Sequence, residues 1–185
     1  LAQIYFNSTF TDVVGGVFVD KLIAKNNSAI ARKAGILPLK QETAQNASVG
    51  LTAKPIEGVT ATVDAYYVNV KDRIVLTGAF GPSDPNIGAD LAALQVGGVQ
   101  FFVNGLDTKT TGLDVVLSYR TEYRDNHIRI SFAGNFNDMK LGAIKPGPKL
   151  GAQGDTVFFG RREQYFLLAS APPRKMSLSI DHSGR

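Results

Sequence analysis

From residue 112 to residue 136 apolar and polar side chains alternate almost without a break. Leu113, Val115, Leu117 and Tyr119 share one parity, and Asp114, Ser118 and Arg120 the other, with Val116 the one apolar residue on the polar side. After a polar turn over 121–126 the rule resumes. Ile128, Ile130, Phe132 and Phe136 point one way, Arg129, Ser131, Asn135 and Asn137 the other. Side chains on a strand alternate faces with period 2, so this stretch predicts an antiparallel hairpin with one apolar wall and one hydrophilic wall. What the apolar wall meets, a protein core or lipid, decides the function.

The same plan recurs upstream. Ala47, Val49, Leu51 and Ala53 alternate with Ser48, Gly50, Thr52 and Lys54. After the tight turn Pro55-Ile56-Glu57-Gly58, Val59, Ala61, Val63, Ala65 and Tyr67 alternate with Thr60, Thr62, Asp64 and Tyr66. The parity flips at Val68 and Val70, as a β-bulge would make it. Residues 101–111 lead into the central hairpin, and 175–182 form a last strand in which Met176, Leu178 and Ile180 alternate with Ser177, Ser179 and Asp181. Residues 1–6 read as the end of a strand and 7–27 as loop. Ser28 caps a short helix over 29–34 closed by Gly35, a second helical segment covers 87–95, and 142–173 is irregular. The count is roughly six strands.

Connection lengths are asymmetric. The turns at 55–58 and 121–126 are short, those at 77–100 and 142–173 long, and the two kinds alternate. Loops above about 12–15 residues are uncommon inside compact domains. A membrane barrel, by contrast, has short turns on one side and long loops on the other. The expected class is therefore all-β: antiparallel up-and-down strands forming part of a transmembrane β-barrel, with short helices in the long loops. The competing reading is a soluble β-sandwich that binds a ligand or carbohydrate, its apolar faces packed on each other.

Composition trims the alternatives. The mean hydropathy of −0.02 and the lack of a long apolar run exclude a transmembrane helix, which needs ~20 apolar residues, but not barrel strands. There is no cysteine, which removes disulfides, thiolate metal sites and cysteine catalysis. The 19 glycines, 11 phenylalanines and 6 tyrosines suit a sheet protein with many turns and amphipathic aromatics. His127 and His182 lack triad or metal-ligand spacing to partners, and no glycine-rich phosphate loop is present. No catalytic, cofactor-binding or metal residues are expected, and the chain does not read as an enzyme. Residues 1–6 carry neither a basic stretch nor an apolar signal segment, so the polypeptide is expected to be an excised or processed piece.

Several segments together resemble a known family. They are Leu39-Lys40-Gln41-Glu42 before a strand, the run from Thr62 through Tyr66-Tyr67-Val68-Asn69 to Asp72-Arg73-Ile74, Asn104 followed by Thr110-Thr111-Gly112-Leu113-Asp114, and Pro172-Pro173-Arg174-Lys175. In order and spacing they are similar to the C-terminal barrel portion of TonB-dependent outer-membrane receptors. Gln41 stands where that family usually has proline. The resemblance implies a barrel of about 22 strands in a Gram-negative outer membrane. It also implies a plug domain, a TonB-binding segment near the N-terminus, and import of a scarce nutrient such as an iron-siderophore chelate or cobalamin. On this reading residues 1–185 are a partial barrel that lacks the plug, the TonB-binding segment and the last strand.

Within that frame Thr62, Asp64, Tyr66, Asp114, Arg129 and Asn135 are lumen-facing candidates. Lys145, Lys149, Arg161 and Arg162 form a basic extracellular loop expected to contact anions, because clustered like charge concentrates counter-ions. Expected partners are outer-membrane lipid and lipopolysaccharide, a small nutrient ligand, and the TonB complex through the missing N-terminal region; nucleic acid is not among them.

Overall fold

A computed structural model describes residues 2–124, 126–145, 158–170 and 172–184. After a 3-10 turn at Ala2–Ile4 come β1 (Ser8–Val14), β2 (Val17–Ala24), α1 (Ala29–Lys33), β3 (Thr43–Ala53), β4 (Val59–Leu76), α2 (Gly88–Ala93), β5 (Gly98–Tyr123), β6 (Asn126–Ile144), α3 (Arg161–Ala169) and β7 (Arg174–Gly184). The seven strands form one sheet in the order β1-β2-β5-β4-β3, with β6 pairing β5 and β7 pairing β6. The β6–β7 ladder is antiparallel and runs from Asn126 opposite Gly184 to Phe136 opposite Arg174. The class is all-β, as the alternation predicts, and the sheet is open.

Several local features differ from the sequence reading, the first being residues 1–6, read as the end of a strand, where Ala2–Ile4 is a 3-10 turn. Residues 7–27 are not loop but the β1–β2 hairpin, turned by Gly15 and Gly16 at φ +60° and +83°. Two successive positive-φ residues make the tight turn whose twist suits paired strands, and glycine adopts it without a Cβ penalty. One pairing is parallel rather than antiparallel, Lys21–Ala24 of β2 beside Gly98–Phe101 of β5. The 121–126 turn is shorter than expected, since the strands continue to Tyr123 and resume at Asn126, with Arg124 at φ +54°. Finally, Arg161–Ala169 is helical within a stretch that lacks strand alternation. By contrast α1 falls where its cap signals place it. Ser28 Oγ accepts from the Ala31 amide and Gly35 has φ +79°.

The chain divides into two compact units. The first comprises 1–43, 70–108 and 141–167, the second 44–69, 109–140 and 168–185. The first unit has an ordinary apolar interior. Ile30 and Ala31 of α1, Leu91 of α2, Phe80, Val99, Phe101 and Leu106, and Phe158 share one buried cluster. Polar groups inside it are bonded: Thr77 Oγ1 accepts from the Phe101 amide, and the Asn26 side chain reaches Leu37, Leu39 and Phe102 backbone atoms.

The second unit is built the other way round. All its strands belong to the single sheet, and among the described residues no apolar side chain of this unit is buried. Within β4, Val63, Ala65 and Tyr67 are exposed while Thr62, Asp64 and Tyr66 are half-buried. Within β5, Leu113, Leu117 and Tyr119 are exposed while Asp114 and Ser118 are half-buried. Leu51 of β3 and Leu178 of β7 are 72% and 67% exposed. Among the described residues no apolar face is stacked on another, which removes the sandwich as a description of this unit.

Interior packing in the first unit makes a quantitative prediction. Phe101 is fully buried, so Phe101→Ala leaves a cavity costing about 3–5 kcal/mol. Hydrogen exchange of the full-length protein in detergent is expected to show faster amide exchange in the segments lining that interior. Unchanged protection there would contradict the packing described.

Candidate functional site

Strand pleating brings the polar parity of the second unit together. Thr62 Oγ1 on β4 lies 3.0 Å from Thr52 Oγ1 on β3. Beside it, Gly50 has no side chain because the Asp64 carboxylate occupies the space a Cβ would take. The Tyr66 ring lies over Gly112 of β5 in the same way, filling the space a Cβ would take. Asn135 of β6 then ties the strands together, its Nδ2 donating to Asp114 Oδ1 at 2.5 Å and to Tyr66 OH at 3.3 Å. Asn137 Nδ2 donates to Asn135 Oδ1 at 3.2 Å and to the Pro172 carbonyl at 2.9 Å.

Thus Tyr66, Asp114 and Asn135 form one bonded group, and Thr62 and Asp64 extend it along β4. Arg129 stands apart. It is in register with Asp181 of β7 and lines a depression near the short turns with Lys54 and Arg120. The face offers donors and acceptors to water or a polar solute. It offers no nucleophile activated by a base. Among the described residues no group of three His, Asp or Glu side chains is placed to hold a metal ion. His127 Nδ1 sits 3.2 Å from Glu122, and His182 Nε2 lies 3.0 Å from Asn126 Oδ1.

The first unit carries a charged latch that the alternation pattern does not reveal. Lys145 Nζ is 2.6 Å from Asp107 Oδ1 and 3.0 Å from Asp72 Oδ1. Asp72, at φ +54°, donates its amide to Asp107 Oδ1 and accepts at its carbonyl from Asn104 Nδ2. Asn104 also exchanges both of its side-chain bonds with the Lys40 backbone. The bond from Lys145, aided by the Asp72 amide, holds the Asp107 carboxyl below the ordinary carboxylate value, and Asp107 and then Asp72 push the Lys145 ammonium up. Lys145 is therefore committed to two carboxylates. Arg161 and Arg162 are exposed at the start of α3, with Arg162 5.7 Å from the centre of the Phe166 ring. Lys149 lies outside the described residues.

A family model described as TonB dependent receptor-like, beta-barrel, matches residues 1–185. The chain belongs to that family. The TonB-dependent receptors are outer-membrane receptors and transporters of Gram-negative bacteria rather than enzymes, and the exposed apolar parity of the second unit is what such a barrel wall requires. No curated protein and no solved structure matches the chain.

The latch gives a signed pH dependence. Because folding lowers the Asp107 pKa below its ordinary 3.8, the unfolded state binds more protons on acidification. The contribution is present at neutral pH and is lost as pH falls through the folded value. Lys145, raised above 10.5, loses its contribution only as pH rises beyond that. With these side chains one-third to nearly one-half exposed, the effect is about 0.2–1 kcal/mol. Lys145→Met is expected to shrink the loss of amide protection at Ile74 and Asp107 between pH 7 and pH 3. An unchanged loss would show that the latch does not carry it.

Proposed function

We propose that this chain is barrel wall and surface loop of an active outer-membrane importer. The apolar parity of the second unit faces acyl chains, and Thr62, Asp64, Tyr66, Asp114, Asn135 and Arg129 face a hydrated lumen. The short turns face the periplasm and the long connections the exterior. The cargo is a scarce nutrient such as an iron chelate or cobalamin. Transport draws on the inner-membrane proton gradient through TonB, engaged by a part of the receptor outside these residues. Arg161 and Arg162 contact anions at the cell surface, either lipopolysaccharide phosphates or an anionic ligand; with Lys145 bound to Asp72 and Asp107, they are the described cations of the basic loop left for that role.

One observation carries the membrane reading: along β4 and β5 the apolar parity of the second unit is the more exposed parity, with no buried apolar side chain behind it among the described residues of that unit. In water several such strands would present a continuous greasy surface and aggregate. In a bilayer the same surface is solvated. Family membership is what supports nutrient import and energy coupling.

The test compares the two faces in the full-length receptor. Leu178→Arg and Leu51→Arg place a cation among acyl chains, a cost of about 2–4 kcal/mol near the bilayer midplane. Thr62→Arg places it in a wet lumen. Heat-modifiable folded receptor recovered from outer membranes is expected to fall sharply for the first two and little for the third. Equal recovery of all three would remove the membrane assignment. Collapse of the proton gradient is expected to stop uptake of the cargo while leaving surface binding intact.

A further inference from the structure

A cavity of about 440 Å³ lies in the first unit between the β1–β2 hairpin, the 73–79 stretch and α3, within the size range of small-molecule sites. Phe10 and Lys21 are paired across the hairpin and so share the face that lines it. Phe159 and Phe166 add two further aromatic surfaces from the α3 side. The body of any occupant therefore meets phenylalanine rings.

The charges lining this space are not equivalent. Lys21 Nζ is spent on Asp12 Oδ2 at 2.6 Å, and Asp12 also accepts from the Val13 amide at 2.8 Å. That pair is internally neutral. Arg73 donates one bond, to Thr108 Oγ1 at 3.2 Å, and Arg162 lies against the Phe166 ring; among the described residues neither is paired with a carboxylate. A guanidinium carries five donors in a fixed fork that suits an oxyanion, so most of the donors of both remain available. Glu163 adds one carboxylate to the lining and Asp12 also feels the Arg162 charge, so the lining carries three cations, Lys21, Arg73 and Arg162, against two carboxylates. The balance favours a single negative charge and disfavours a polyanion.

We infer that this cavity binds a small amphipathic monoanion, an aryl carboxylate in build, with its flat apolar body among Phe10, Phe159 and Phe166 and its carboxylate at Arg73 and Arg162. The assignment rests on the receptor reading and narrows it, giving the cargo, or an exposed part of it, a chemical class. Arg162 acts here as a ligand contact, its guanidinium 5.7 Å from the centre of the Phe166 ring.

The test uses the full-length receptor in detergent and two probes of the same shape, 1-naphthoate and uncharged 1-naphthalenemethanol, with calorimetry as the readout. Naphthoate is expected to bind at least tenfold more tightly than the alcohol. Arg73→Gln and Arg162→Gln are each expected to weaken naphthoate about tenfold and leave the alcohol unchanged. Should Arg162→Gln fail to give the heat-modifiable folded form, Arg162→Lys keeps the charge without the fork and is expected to bind naphthoate at an intermediate strength. Equal binding of the two probes, or wild-type affinity in the arginine variants, overturns the site. Wild-type receptor that inserts in the outer membrane yet binds no naphthoate also overturns it, and leaves the receptor reading standing.

Discussion

A strand in hydrocarbon has no water to satisfy its amides, so every backbone N–H and C=O must find a partner on a neighbouring strand. That constraint explains the open sheet. Among the described residues β3 pairs only with β4 and β7 only with β6, which leaves each with one unpaired edge. Such edges are unsustainable in a bilayer unless further strands continue the sheet until it closes, and seven strands fall below the about 8 of the smallest membrane barrels. The chain is legible as wall because its edges demand more wall.

On the proposed membrane reading, one polypeptide folds under two solvents. β5 shows the change along its own length. Val99, Phe101, Val103 and Leu106 are buried, whereas beyond Thr108 Leu113, Leu117 and Tyr119 are exposed and the polar parity is the more covered one. The boundary between the units falls at 69/70 in β4, 108/109 in β5 and 140/141 in β6. On one side of each boundary burial of apolar area drives packing. On the other, pleating sorts side chains between two environments and hydrogen bonds such as Asn135 to Asp114 hold the polar side together.

Legibility in the sequence divides along the same line. Strands with one apolar and one polar face announce themselves by parity, which is why 47–53, 59–67, 113–136 and 175–182 were visible. Glycine placement was visible only in part. Gly15-Gly16 between β-formers signals a hairpin, but Val13-Val14 and Val17-Phe18-Val19 beside it do not alternate, and the flanking strands were hidden with it. The parallel contact of β2 with β5 joins residues some 77 positions apart, as Lys21 and Gly98 show, and no local pattern encodes it. Of the polar-face residues, parity identified the face while saying nothing of Asn135 as the bridging donor. The latch escaped because Asp72, Asp107 and Lys145 are each single charges in unrelated segments, and only the paired strands bring them together.

The short motifs that carry the family resemblance turn out to do structural work across strands. Glu42 Oε1 accepts from the Ile74 amide, Lys40 exchanges backbone bonds with Asn104, and Asn104 in turn caps the Asp72 carbonyl. Gly112 makes room for Tyr66, Asp114 receives Asn135, and the Pro172 carbonyl receives Asn137. A left-handed aspartate inside a strand is strained by about 1–3 kcal/mol, and the bonds to its amide, carbonyl and carboxylate offset that locally. Of these motif segments only Arg73 and Ile74 also line the cavity under α3. A wall shared by many receptors must repeat such cross-strand bonds whatever the cargo, whereas the surface that meets cargo is free to differ. The cross-strand bonds that identify this chain as a receptor are therefore the least informative about what it receives, and on the proposal above it is the aromatic lining of Phe10, Phe159 and Phe166, outside those motifs, that would carry that information.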